Sequence, residues 1–166
     1  MSRQPFEIDT AEALGITDTE LHELLTQVYV DAGFTAPAEA VSLFEPSAVR
    51  ARGQIIAARK SGRSTLAGII ILVPYDSPAR RLATNGEAEL HLLGVKPEFR
   101  KMGLGRMLIE AAIEQARSAG FTRLILWTQI PMQPAQRLYE ATGFRHIDTF
   151  ERNGRHFKLY ERPLNQ

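Results

Sequence analysis

Between a strand pattern and a helix pattern lies the stretch Arg100, Lys101, Met102, Gly103, Leu104, Gly105 and Arg106, whose residue types suit phosphate. The first backbone amides of a helix have no partner inside it and carry its positive dipole end, and glycines let an anion approach them. Lys101 and Arg106 add positive charge. Two glycines alone would also serve an ordinary tight turn, so the surrounding pattern must decide. A P-loop needs GxxxxGK followed by Ser or Thr, and the chain has no such string. The dinucleotide fingerprint needs glycine where Leu108 stands and an acid after the next strand, where Thr128 and Gln129 stand instead. Nucleotide hydrolysis and nicotinamide chemistry are both disfavoured. What remains is RxxGxG behind a strand that ends in Val95, Lys96 and Pro97.

That strand carries the titratable groups nearest the loop: Glu87, Glu89 and His91. Strict alternation predicts Glu89, His91, Leu93 and Val95 on one face. The four histidines, His22, His91, His146 and His156, show no close ligand spacing, so no metal is expected. With zero cysteines, a cysteine nucleophile, a thiolate zinc site and a disulfide are excluded.

The 166 residues, 44% hydrophobic and 23% charged, fit one domain over residues 1–166. The net charge of +1 gives no general reason to expect nucleic acid or anionic membrane. Its distribution is uneven: residues 1–50 hold nine acids against Arg3 and Arg50, while the rest hold eighteen basic residues against ten acids. An anionic ligand is therefore expected in the later part and a cationic acceptor near the earlier part. The longest apolar run, residues 66–73, is far short of the ~20 residues needed to cross a bilayer. No secretory leader pattern is found, and a cytoplasmic location is expected.

The elements needed to position the loop can be read from periodicity. Thr17 and Glu20 form a capping box before Leu21, Leu24, Leu25, Val28 and Ala32 at helical spacing. A less regular segment, residues 38–52, precedes a β-hairpin formed by residues 54–59 and 65–73. An irregular loop, residues 75–86, leads to the strand at 87–95. Leu104, Met107, Leu108, Ala111, Ala112 and Ala119 mark a helix that stops at Gly120, and residues 123–128 form the next strand. Strand, crossover helix and strand in this order predict a parallel pair. A short helix from Pro134 to Thr142 and a hairpin turning at Asn153 and Gly154 complete the chain. The fold class is α/β: a mixed sheet with helices on both faces.

Three stretches together resemble the GNAT superfamily of N-acetyltransferases: AELHLLGVKP at 88–97, the RxxGxG loop, and LYEATGF at 138–144. The resemblance covers residues 54–161. It implies a splayed parallel strand pair, parting after Val95, and acetyl-coenzyme A as cosubstrate, without a metal. Its pyrophosphate would lie on the amides of Lys101, Met102, Gly103, Leu104, Gly105 and Arg106, and its pantetheine along Leu93, Gly94 and Val95. Arg100 would either touch the cofactor or brace the loop. The place where the family often has Asn is Met132, so Gln133 beside it is the expected substitute. Lys101 stands where glycine is common.

By the same resemblance Glu89 is the base that frees the amine lone pair, and Tyr139 the acid that protonates the departing thiolate. His91 is the alternative base, since its unperturbed pKa lies near 6.5. The implied partner is a small-molecule or peptide amine, with no nucleic acid and no membrane; a homodimer is compatible with it. The alternative is a protein that binds acyl-coenzyme A without turnover.

Overall fold

The computed structural model describes residues 5–164. Seven strands form one sheet in the order β1-β2-β3-β4-β5-β7-β6, beginning with β1 (Phe6–Thr10) at one edge. β2 (Gln54–Lys60) and β3 (Leu66–Pro74) are the expected hairpin, followed by β4 (Glu87–Val95), helix α4 (Leu104–Ser118) and β5 (Arg123–Gln129). β4 and β5 are parallel, as the crossover helix requires. Helix α5 (Gln133–Ala141) leads into the hairpin of β6 (Arg145–Arg152) and β7 (Arg155–Pro163), which turns at Asn153 and Gly154, both with positive φ.

β3 runs through the centre with eight consecutive buried residues, because both of its faces are covered. On one face Leu104, Leu108, Ala112 and Ala116 of α4 pack against Ile56, Ile70 and Leu72. On the other, helix α1 (Asp18–Leu25) packs Leu21, Leu24 and Leu25 against Ile55, Ile69 and Ile71, joined by Phe44 and Val49. Phe44 caps α2 (Pro37–Leu43), and Val49 belongs to α3 (Pro46–Ala51). The Thr17–Glu20 capping box is formed in both directions, Glu20 N–H to Thr17 Oγ1 at 3.2 Å and Thr17 N–H to Glu20 Oε2 at 2.8 Å.

Three features depart from the pattern-based reading. An additional edge strand, β1 (Phe6–Thr10), pairs antiparallel with β2; of its five residues only Phe6 is buried. The helix that begins at Asp18 widens after Leu25 into a π-helical turn over Thr26–Val30, which aims Tyr29 at β4. Alternation along β4 is broken. Ile71 opposes His91 and Ile69 opposes Gly94, so Ile70 alone faces both Leu92 and Leu93. Leu92 takes φ 52°, and the extra residue is a β-bulge.

The bulge exchanges faces. Ala88, Leu90, Leu93 and Val95 all pack on the α4 side, while Leu92 packs on the α1 side and Gly94 faces Leu24 and Val28 there. The expectation that Glu89 and His91 share a face with Leu93 and Val95 is therefore corrected. The parting of the parallel pair also begins earlier than Val95. Its ladder consists of Glu87–Arg123, Ala88–Leu124 and Glu89–Ile125 and goes no further.

Candidate active site

Beyond Glu89, β4 continues to Val95 with only β3 beside it. Lys96 N–H bonds Ala67 O at 2.9 Å toward β3, so the N–H and C=O of the preceding residue, Val95, turn the other way, into the gap left by β5. Two side chains already use that edge: Tyr29 donates to Leu93 O at 2.7 Å and Arg100 donates through Nε to Val95 O at 3.1 Å. Arg100 is thus a brace between the loop and β4. Gly94 is buried and lies against α1.

Below the gap, Lys101 takes φ 62° and Gly103 φ 80°, two left-handed residues that turn the chain into α4. Gly103 is the N-cap and supplies no side-chain cap, and the first turn holds no acid. The leading N–H groups of α4 therefore have neither a capping oxygen nor a carboxylate beside them. Lys101, Met102 and Arg106 are exposed around them, Arg106 in an i,i+4 pair with Glu110 at 2.9 Å. The second glycine has a different reason: a Cβ on Gly105 would stand 2.7 Å from Leu138 Cδ2, so its absence lets α5 close on α4.

That close approach positions Tyr139. Its ring is packed edge-on against Phe144 and tilted against Tyr160, and it is 7% exposed. Its hydroxyl has no hydrogen-bond partner among the described residues, and it lines a cavity of about 260 Å³. Burial raises its pKa far above that of an ordinary phenol, with Tyr29 and Tyr160 adding to the effect, so it keeps its proton. Leu93 and His91 line the same cavity.

Glu89, expected as the base, does not line that cavity. It is 0% exposed, and its carboxylate accepts from the N–H groups of Arg81, Leu82 and Ala83 at 3.0, 2.6 and 2.7 Å and from His91 Nε2 at 2.8 Å. Burial pushes its pKa up, but the bonds from His91 and from the three amides together hold it below the usual carboxylate range. A carboxylate with its lone pairs so occupied orients its neighbours. The irregular loop at 75–86 is folded around it.

The Nε2 of His91 that meets Glu89 must carry the hydrogen, because a carboxylate can only accept. Nδ1 then holds the lone pair, and Arg52 Nη1 donates to it at 3.0 Å. Burial pushes the His91 pKa below its usual value; the bond from Glu89 opposes this and nearby Arg52 reinforces it. The ring is neutral at neutral pH, with its basic nitrogen aimed away from Glu89. Trp127 of β5 meets it at 5.2 Å.

Gln133 is exposed at the start of α5 and does not line the cavity; Met132 does. The polar group that sequence reasoning missed here is Gln136, whose buried amide donates to Gln129 O at 3.1 Å and Ile130 O at 2.7 Å. It satisfies the end of β5 where that strand has lost β4. Tyr29, Arg52, Arg81, Trp127, Arg152 and Arg155 were missed as well, and all line the cavity. Tyr29 sits four residues after Leu25, in the π-helical turn that continues α1, and Arg152 and Arg155 flank the Asn153–Gly154 turn. Both positions were legible signals. Of the nine acids in residues 1–50, only Glu39 lines the cavity.

Two solved acetyltransferases share this arrangement of strands and helices. An acetyltransferase from Staphylococcus aureus superposes with a TM-score of 0.75 at 18% identity, over 96% of this chain and 99% of that one. A Bacillus subtilis acetyltransferase, solved with CoA, gives 0.67 at 21% identity over 96% and 99%. The sequence itself matches the acetyltransferase (GNAT) family over residues 19–144, and the chain belongs to that family. A mycothiol acetyltransferase of Acidothermus cellulolyticus is 37% identical over 91 residues, 48% of this chain and 28% of that protein. N-acetyltransferase family 8 member 3 of Rattus norvegicus is 31% identical over 88 residues, 53% of this chain and 37% of that protein. The matched stretch is thus well under half the length of either relative.

Proposed function

We propose that this chain transfers an acetyl group from acetyl-coenzyme A directly to a primary amine. The observation that carries the reading is the parted β4 edge standing beside the bare N-terminus of α4. Backbone groups at Leu93 and Val95 suit the amides of a pantetheine arm, and the N–H groups after Gly103, with Lys101 and Arg106, suit a pyrophosphate. The thioester supplies an activated acyl carbon with a thiolate leaving group. The N–H of Leu93 or Val95 is the donor available to its carbonyl oxygen.

The protein's own part is to move protons. An alkyl ammonium with a pKa near 10.4 must lose one proton before its nitrogen can attack. His91 Nδ1 is the acceptor we assign, with Glu89 holding the ring in the tautomer that keeps the lone pair there and Arg52, which donates to it, having to give way to the amine. The new C–N bond forms as the C–S bond breaks, the thiolate gains a proton from Tyr139, and the second proton lost by the nitrogen restores the phenol, while the first leaves His91 for solvent. The net products are the acetamide, coenzyme A thiol and one proton. No cysteine is present to carry an acyl group, which fits direct transfer.

Calorimetry with coenzyme A, followed by a thiol-release assay over a panel of primary amines, tests the reading. Saturable binding and amine-dependent thiol release are expected. Absence of coenzyme A binding refutes it, and binding without turnover of any amine leaves a sensor rather than a transferase.

A further inference from the structure

The cavity lined by His91, Leu93 and Tyr139 is lined also by Arg52, Arg81, Arg152 and Arg155. Arg52 comes from the end of α3, Arg81 from the loop wrapped on Glu89, and the other two from either side of the β6–β7 turn. Three separate segments therefore converge their cations on one space. Among the described residues none of the four pairs with a carboxylate: Arg52 touches His91, and Arg155 touches Gln129 Oε1 at 3.1 Å. Facing them are two acids, Glu39 on the rim and Glu89, whose lone pairs are already taken.

Burial lowers the pKa of Arg52 and Arg81, and like charge adds to it, from Arg81 on Arg52 and from Arg152 on Arg81. Glu89 opposes this at Arg81, but its lone pairs are already taken, so like-charged guanidiniums remain that an oxyanion would relieve by bidentate bonds. The space continues past Arg81, Trp127 and Arg152 into a groove of about 580 Å³ lined also by Phe150 and Leu82. An apolar body can lie there. The groove's own acid, Glu151, stands 3.9 Å from His156.

We infer that the acceptor is an amine that carries its own anionic group, a carboxylate or phosphonate held by Arg81 and Arg152 while its amine reaches His91. This rests on the transferase reading above and narrows it, and it replaces the cationic acceptor expected from the acidic first 50 residues. An anion that draws Arg52 toward it also uncovers His91 Nδ1. The right acceptor thus exposes its own base.

Trp127 is the sole tryptophan and lines both spaces, so its fluorescence reports their occupation. Leucine, phenylalanine and glutamate are titrated against their amides, and 2-aminoethylphosphonate against ethanolamine, at fixed ionic strength, with and without coenzyme A. The anionic member of at least one pair is expected to bind about tenfold or more tighter. The phosphonate pair tells the two oxyanions apart. In R81Q/R152Q, two exposed positions, the preference is expected to fall below about threefold, with R145Q as an unaffected control. Equal binding of every pair, no saturable response to any anion, or a preference unchanged in R81Q/R152Q overturns the inference. Calorimetry with coenzyme A is read separately, and its failure refutes the transferase reading instead.

Discussion

Replacing Glu89 by Gln keeps the shape of the side chain and removes one acceptor. Three backbone donors converge on Oε2, from Arg81, Leu82 and Ala83, so the single amide oxygen of Gln takes that position. Its NH2 group is left facing His91 Nε2, where an oxygen had accepted at 2.8 Å. The imidazole now has two poor choices. With the hydrogen on Nε2 it meets a donor, and with the hydrogen on Nδ1 it meets the Arg52 guanidinium, which stands 3.0 Å away and can only donate. One charge-assisted bond, about 1.5–3 kcal/mol, is lost and one buried donor is unsatisfied, so about 2–4 kcal/mol of stability should go. For a chain of this length that is a fall in melting temperature of roughly 5–15 °C.

The catalytic effect should be larger than a packing defect explains. A histidine in the wrong tautomer presents no lone pair to the amine, and loss of a positioned base costs about 10²- to 10⁴-fold in kcat. The affinity for coenzyme A should hold, since Glu89 is remote from the α4 loop. Two measurements separate positioning from mere destabilisation: the ¹⁵N shifts of His91, expected to change tautomer, and the double variant E89Q/H91Q, expected to be no slower than H91Q. A kcat within threefold of the parent enzyme, or a lowered kcat with His91 in its original tautomer, refutes the relay.

Y139F removes a hydroxyl with no partner among the described residues, so melting should move by no more than about 2 °C while kcat drops about 10- to 100-fold. In G103A a side chain must adopt φ 80°, and in G105A a methyl must displace Leu138, so each should lose about 1–2 kcal/mol in thermal melts. Coenzyme A affinity should weaken in both, because the amides at the start of α4 shift with them. For pH, the folded His91 binds a proton less readily than the unfolded one, whose pKa is about 6.5. Its contribution to stability is therefore complete above that value and lost as pH falls through it toward the lower folded pKa. Denaturation midpoints across that range should show this loss in the parent protein and not in H91Q, and the acid limb of kcat/KM should lie below pH 6.5.

Periodicity carried most of the fold. β2 to β5 and α4 are long, strongly apolar on their buried faces, and closed by glycine or proline, so their patterns were legible. β1 was not, because five residues with one buried side chain give no signal above that of a loop. The RxxGxG loop was read from its residue types and Tyr139 from the family resemblance, yet the reason for Gly105 was legible in neither, since Leu138 approaches it from 33 positions along the chain. The reading of β4 failed at one residue. Nothing in Leu92 or Leu93 announces a bulge, which arises from register against Ile69 and Ile71. The arginine wall was invisible for a similar cause: its members lie in three segments, and only the sheet and the loop on Glu89 bring them together.

On the proposed function, that one extra residue in β4 would let a single strand serve two substrates. Before the bulge, Glu89 and His91 face the α1 side, where the cavity lined by Tyr29, Trp127 and the arginines opens. After it, Leu93 and Val95 pack toward α4, whose N-terminus carries the bare amides and meets Leu138 of α5, the neighbour of Tyr139. Without the inserted residue Leu93 would share a face with His91, and the edge below it would no longer turn toward α4. The parting of β5 after Ile125 opens that same stretch sideways, and Gln136 then satisfies the carbonyls that β5 leaves behind. The strained φ of Leu92 is thus held by contacts on both of its sides, from Ile70 in the sheet and from the α1 core, which is how a sparsely populated backbone conformation persists at a working site.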